Sequence, residues 1–198
     1  MAQENPLDSL RDQLSIMLQS TPKLLILGIG ENRMGDDGLG QYISFYLDEV
    51  ISTPQVQVIN GGIVPEERLS EIIAFSPDLL LLIDSVDSGK PSGSVNLYKD
   101  KQMMNYLPIS SHSLPLPILV DRCKRKIPNL EVKLLGVQPY SLEFLDSYVL
   151  FKEQKYSLDD KEQNPNIPFY AFNLMDAMRE LCDTLIRLFQ EVIQSHYS

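Results

Sequence analysis

The chain has no tryptophan, only two cysteines and only two histidines in 198 residues. Cys123 and Cys182 lack CxxC spacing, so no disulfide framework and no thiolate metal set is expected. Each reads as a packing residue, and a reducing compartment fits. Basic residues are scarce, 17 against 27 acidic, and the net charge is -10. That excludes the basic footprint of a nucleic-acid binder and electrostatic attachment to an anionic membrane. It is compatible with a metal site or a basic partner segment. No apolar stretch approaches the roughly 20 residues needed to span a bilayer. The longest, Leu79 to Ile83, is strand-sized. Met1 to Pro6 is polar and lacks the basic start and apolar run of a signal peptide. The expectation is a soluble cytoplasmic protein with no nucleic-acid or membrane partner. A GKS or GKT phosphate loop and a GxSxG nucleophile elbow are also missing.

What is there is enough for a core. The hydrophobic fraction is 43%, and the length fits one domain spanning 1–198. The stretch Leu24 to Gly40, LLILGIGENRMGDDGLG, organises the rest. An apolar strand, Lys23 to Gly28, breaks into glycines and a polar turn. Paired acids, Asp36 and Asp37, then end the turn, and a helix is expected from about Asp37 to Ile51 with Leu39, Tyr42, Ile43, Tyr46 and Leu47 at helical spacing.

Before this motif, Leu7, Leu10, Leu14 and Leu18 share one face of a helical extension within residues 1–20. After it, Val56 to Ile59 is a second strand ending at Asn60-Gly61-Gly62, and Pro65 to Phe75 a second helix. Asp78 to Val86 is apolar without alternation, as a central parallel strand covered on both faces should be. Ser94 to Tyr98 is a short strand, placed at an edge. A helix over about Ser113 to Arg125 and a strand over Leu130 to Val137 follow. Residues 148–168 read as a polar excursion, and Phe169 to Ile193 as the closing helix, with Phe172, Met175 and Met178 among its apolar positions. Strand–helix alternation predicts a three-layer α/β/α sandwich around a mostly parallel twisted sheet. No internal repeat is visible.

In such sheets ligands bind at the carboxyl ends of the strands. Asp36 and Asp37 follow strand one, Asp84 and Asp87 end the central strand, and His112 stands in a later loop. An Asp from each of two loops and a His from a third make an oxygen–nitrogen set suited to zinc, nickel, iron or manganese. Each residue also has a plainer reading. An N-cap role accounts for one of Asp36 and Asp37. A turn accounts for Asp87, and a lone histidine is usually structural or solvent-facing. Asp84 resists such a reading, because a charge within an apolar strand is costly unless paired or metal-bound. A dinucleotide fingerprint does not fit. Arg33 holds the third glycine position, Asn60 replaces the ribose-binding acid, and two acids at the helix start would repel phosphate.

The ordered set Gly28-x-Gly30-x5-Asp36-Asp37-Gly38-x-Gly40, Gly61-Gly62, Leu82-Ile83-Asp84-Ser85-Val86-Asp87, Gly93, Ser111-His112-Ser113-Leu114, and Leu135-Gly136-Val137-Gln138-Pro139 with Ser141-Leu142-Glu143 resembles the hydrogenase maturation endopeptidases. These process the large subunit of nickel-iron hydrogenases. The resemblance implies a twisted sheet between helices. It implies that Asp37, Asp84 and His112 face one cleft, contact metal and carry catalysis. The nickel would arrive with the hydrogenase large-subunit precursor, no organic cofactor being needed, and a short carboxyl-terminal peptide would be cut off once. On this reading Asn60, Gly61 and Gly62 contact substrate, the glycines permitting close approach of its tail. The family usually has Asn where Glu31 stands and Asp where Asn60 stands, departures that bear on which hydrogenase is served. A non-catalytic chaperone or metal-sensing binding module for the same precursor is the alternative from another class. The self-association of the chain is left open.

Overall fold

The apolar run after Lys23 becomes β1 (Leu24–Ile29), every residue of it buried. A computed structural model describes residues 6–99, 116–143 and 172–197. Within them the elements in chain order are α1 (Pro6–Leu18), β1, α2 (Leu39–Val50), β2 (Val56–Gly62), α3 (Leu69–Phe75), β3 (Leu79–Ser85), β4 (Val95–Lys99), α4 (Leu116–Lys126), β5 (Glu131–Val137) and α5 (Asp176–Tyr197).

The sheet has the order β2-β1-β3-β5-β4. β2, β1, β3 and β5 run parallel, and β4 closes one edge antiparallel to β5. β3 is buried along its whole length between β1 and β5, which explains why its sequence does not alternate.

Odd and even positions of the strands feed two cores. Leu24, Ile26, Leu79, Leu81 and Ile83 pack with α1, α2 and α5. Leu25, Leu27, Leu80 and Leu82 pack with Ile72 of α3 and with Leu116, Leu119 and Val120 of α4. These two covered faces make the expected three layers. α1 is part of the first layer. Its Leu10, Leu14 and Leu18 are buried, and Arg11 meets Glu191 of α5 at 2.7 Å.

Two boundaries differ from the sequence reading. The closing helix begins at Asp176 rather than Phe169, residues 172–175 lying outside the helix. The helix expected from Pro65 is a 3-10 turn, Pro65–Arg68, leading into α3. The polar excursion 148–168 and His112 lie outside the described residues.

The connectivity positions the site. From β1 the chain moves outward to β2, then returns past β1 to β3 on its other side. The strand order therefore reverses between β1 and β3, and their carboxyl ends open a crevice at a topological switch point.

Candidate active site

Asp37 and Asp84 stand at that switch point. Asp37 follows β1 in a 3-10 turn, Gly35–Gly38, that leads into α2. Asp84 is the penultimate residue of β3. Asp36, Asp37 and Asp84 are all 0% exposed. Three carboxylates withdrawn from water demand partners, since an unpaired buried charge costs several kcal/mol.

The partners separate the two adjacent acids. The Asp36 carboxylate accepts three backbone N–H groups, from Tyr140 (2.8 Å), Ser141 (3.1 Å) and Met175 (2.8 Å). It clamps the loop after β5 and the approach to α5 onto the loop after β1. The Met175 N–H is thereby satisfied by a carboxylate immediately before α5 begins. Neither Asp36 nor Asp37 makes the side-chain cap expected at a helix start. Asp36 works between distant segments instead.

Asp37 is turned toward the strand ends. Its Oδ2 accepts the Glu31 N–H at 2.8 Å, and its Oδ1 accepts the Ser85 hydroxyl. Ser85 is the residue after Asp84, and Asp84 Oδ1 accepts the Ser85 N–H at 2.8 Å. One serine thus bonds both carboxylates, through its hydroxyl on one and its amide on the other. Alternation along β3 assigns Ser85 to the α2 face and Asp84 to the face of Leu80 and Leu82, where α4 packs. Ser85 was not singled out from sequence as a site residue. Its place immediately after the buried acid was the signal available. Asp87, by contrast, accepts Gly89 N–H at 3.2 Å in an exposed turn, as expected.

The glycines of the organising motif serve packing. A methyl group on Gly40 would overlap the carbonyls of Ile29 and Ile83, and one on Gly28 would overlap the Gly40 carbonyl. The first turn of α2 can therefore lie directly on β1 and β3, bringing the Asp37 turn against the strand ends.

Beside the acids is a groove of about 460 Å³, lined by Glu31, Asn32, Arg33, Gln41, Phe45, Asn60, Gly61, Gly62, Ile63 and Arg68. All three residues expected to contact substrate line it. Their roles differ in backbone terms. Gly61 lacks a side chain because a methyl there would come within 2.9 Å of Leu27 Cδ1, inside the sheet. Gly62 has φ +60 with open space beside it, so the left-handed turn alone calls for glycine there. Asn60 Oδ1 accepts the Gly62 N–H at 3.1 Å and braces that turn. Glu31 accepts three hydrogen bonds from Arg33, from Nε to Oε1 at 3.1 Å, from Nη2 to Oε2 at 3.0 Å and from the backbone N–H to Oε1 at 3.1 Å. Burial pushes the Glu31 carboxyl up, but the hydrogen bonds and charge of Arg33 outweigh it and hold the group below its ordinary value.

Among the described residues no cluster of three or more His, Cys, Asp or Glu side chains is arranged to hold a metal ion. Asp37 and Asp84 both lie at the carboxyl ends of the strands, Asp37 bonded to Ser85 on the α2 face and Asp84 directed by alternation to the α4 face, and the third expected residue, His112, lies outside the described residues. Cys123 and Cys182 are buried and free, as expected of packing residues.

Fold and site together define an α/β protein with a mostly parallel sheet and buried acids at its switch point. Comparison with known proteins narrows the class. The hydrogenase maturation protease family model, HycI, matches residues 42–159. The Hydrogenase 3 maturation protease of Escherichia coli K12 is 31% identical over 117 residues, covering 58% of this chain and 72% of that one. A Methanocaldococcus jannaschii protein named for the same proteases is 33% identical over 142 residues, covering 68% and 83%. The crystal structure of a [NiFe] hydrogenase maturation protease, HycI from Thermococcus kodakarensis KOD1, superposes with a TM-score of 0.71 at 24% identity, covering 92% of this chain and 99% of that one. The chain belongs to the hydrogenase maturation protease family.

Proposed function

We propose that this protein is an endopeptidase that removes a short carboxyl-terminal peptide from the precursor of a nickel-iron hydrogenase large subunit. The observation that carries the reading is the pair of fully buried carboxylates, Asp37 and Asp84, joined through Ser85 at the switch point of a family member's sheet. Asp37, Asp84 and His112 are the catalytic and ion-contacting residues in this reading. The ion is nickel already held by the substrate, so the dependence on metal belongs to the precursor, and no organic cofactor is involved. Oxygen and imidazole donors suit nickel, which as a bound cation polarises a carbonyl or acidifies a water.

The chain's own part is to fix the two acids. Ser85 and the Glu31 amide set the orientation of Asp37 before substrate arrives, and such pre-organisation lowers the cost of reaching the transition state. Burial keeps competing water away. A carboxylate not engaged with the ion can take the proton from an attacking water. Asn60, Gly61 and Gly62 would lie along the substrate tail in the adjacent groove. A single domain over 1–198, working in the cytoplasm with the precursor as partner, completes the proposal. Among the described residues no helix is long and apolar enough to cross a membrane.

The test is the mass of nickel-loaded precursor after incubation with the protein. Loss of a short tail, abolished by Asp84→Ala or His112→Ala and absent with metal-free precursor, is the expected result. Binding of loaded precursor with no change in mass would replace the protease reading by a non-catalytic chaperone.

A further inference from the structure

The groove beside the acids has more guanidiniums than carboxylates among its lining side chains. Its lining includes two guanidiniums, Arg33 and Arg68, and one carboxylate, Glu31, in a chain whose net charge is -10. Both guanidiniums are accessible, with side chains 47% and 45% exposed. They differ in how far they are committed. Arg33 offers Nε and Nη2 to both oxygens of Glu31. Arg68 donates Nη1 to Glu71 Oε1 at 2.9 Å, and Glu71 does not line the groove. A guanidinium has five N–H donors in a planar fork, so Arg68 retains donors for a second carboxylate. Phe45 and the 42% exposed Ile63 give the same groove an apolar wall. Its volume, about 460 Å³, falls within the range of ligand sites. It adjoins Asp37, because Glu31 lines it and donates its N–H to that carboxylate.

We infer that this groove is a subsite for a carboxylate-bearing peptide segment, with Arg68 as the specificity-determining residue and Phe45 and Ile63 receiving an adjacent apolar side chain. Resting on the protease reading, the occupant is the tail to be removed. A bond positioned at Asp37 and Asp84 leaves the flanking residues to run across Gly61 and Gly62 toward Arg68. The carboxylate is either the tail's free terminus or an acidic side chain near it.

The probe is the peptide acetyl-Gly-Val-Ala-Glu with a free terminus, titrated at millimolar concentration into the full-length protein labelled with ¹⁵N. Its carboxyl-terminal amide and its Glu→Gln analogue form two further arms. The expected result is chemical-shift change at Gly62, Ile63 and the Arg68 side chain. Weaker binding of the amide alone identifies the terminus, and weaker binding of the Gln analogue alone identifies the side chain. Arg68→Ala should weaken the peptide about tenfold, the effect of one charge-assisted hydrogen bond, and Arg68→Lys should recover part of it. Glu71→Gln keeps the guanidinium and removes its competitor, so it should bind the peptide more tightly than the parent. That opposite sign separates recognition from a general loss of structure. Absence of binding, equal binding of charged and neutral peptides, or undiminished binding by Arg68→Glu overturns the subsite. The protease reading fails separately, if loaded precursor keeps its mass.

Discussion

Ser85 donates its hydroxyl to Asp37 across 48 positions of sequence and joins the carboxyl end of β3 to the turn after β1. The bond is buried and its acceptor is a carboxylate that is 0% exposed. Replacing Ser85 by Ala removes the donor and leaves the charge in place. A hydrogen bond to a charged group contributes roughly 1.5–3 kcal/mol, so Ser85→Ala should lower unfolding stability by about that amount. Cleavage of loaded precursor should fall as well, because Asp37 loses a bond that fixes it. Urea denaturation and a precursor mass assay on the same preparation check the two effects.

Asp36 should behave differently from Asp37 although the two are adjacent. Its oxygens face three N–H groups from two separate segments. In Asp36→Asn the amide nitrogen must confront at least one of those N–H groups, donor against donor. A buried unsatisfied group costs about 1–3 kcal/mol. The expected outcome is a loss of about 2–4 kcal/mol on chemical denaturation. Hydrogen exchange should rise at Tyr140, Ser141 and Met175 together, and an unchanged rate at Met175 would contradict the clamp.

How legible this was in sequence differs between fold and site. β1, β3 and α2 were readable because each carries a strong local pattern: uninterrupted apolar strands and a helical period. The division of labour between Asp36 and Asp37 was not readable, since the partners of Asp36 lie 104 to 139 positions away. The start of α5 was not readable either. Phe172 and Met175 continue the apolar period of the closing helix, but Phe172 packs edge-on against Tyr42 and Met175 is held by Asp36. Tertiary bonds outweighed a helical spacing. The Arg68 side of the groove was equally hidden, because an isolated arginine in a polar turn has no periodic signature.

Gly40 is where the backbone of α2 meets two strands. A methyl there overlaps the carbonyl oxygens of Ile29 and Ile83, and backbone cannot swing aside as a long side chain can. Overpacking of a core costs typically about 1–3 kcal/mol, and contact with two main chains puts Gly40→Ala at the upper end. Displacing α2 also shifts the Asp37 turn that precedes it. The variant should therefore lose both thermal stability and processing activity. Gly62→Ala, where the added methyl meets nothing, should lose about 1 kcal/mol through its positive φ alone. A comparison of their melting temperatures tests the contrast.

The Glu31–Arg33 pair makes a prediction about pH whose sign reverses on one substitution. In the folded protein the Glu31 carboxyl lies below its ordinary 4.5, because the Arg33 bonds and charge overcome the upward push of burial. A depressed carboxyl favours the folded state above the unfolded pKa, and that contribution is lost as pH falls through the folded value. The parent should therefore exceed Glu31→Gln in stability at neutral pH and lose the advantage as pH drops below about 4.5. Arg33 is 47% exposed, so the pair contributes on the order of 0.2–1 kcal/mol. In Arg33→Ala the side-chain bonds and the cation are gone, while burial, the largest single influence on Glu31, remains and exceeds the backbone bond that is left. The Glu31 carboxyl should then titrate above 4.5, and ionising it on raising the pH should destabilise the fold relative to the Arg33→Ala, Glu31→Gln double variant. Urea midpoints measured against pH for the four proteins, with the Glu31 side-chain carbon followed by NMR, read both signs. A Glu31 titration that stays below its ordinary value in Arg33→Ala would show that groups other than this arginine hold the carboxylate.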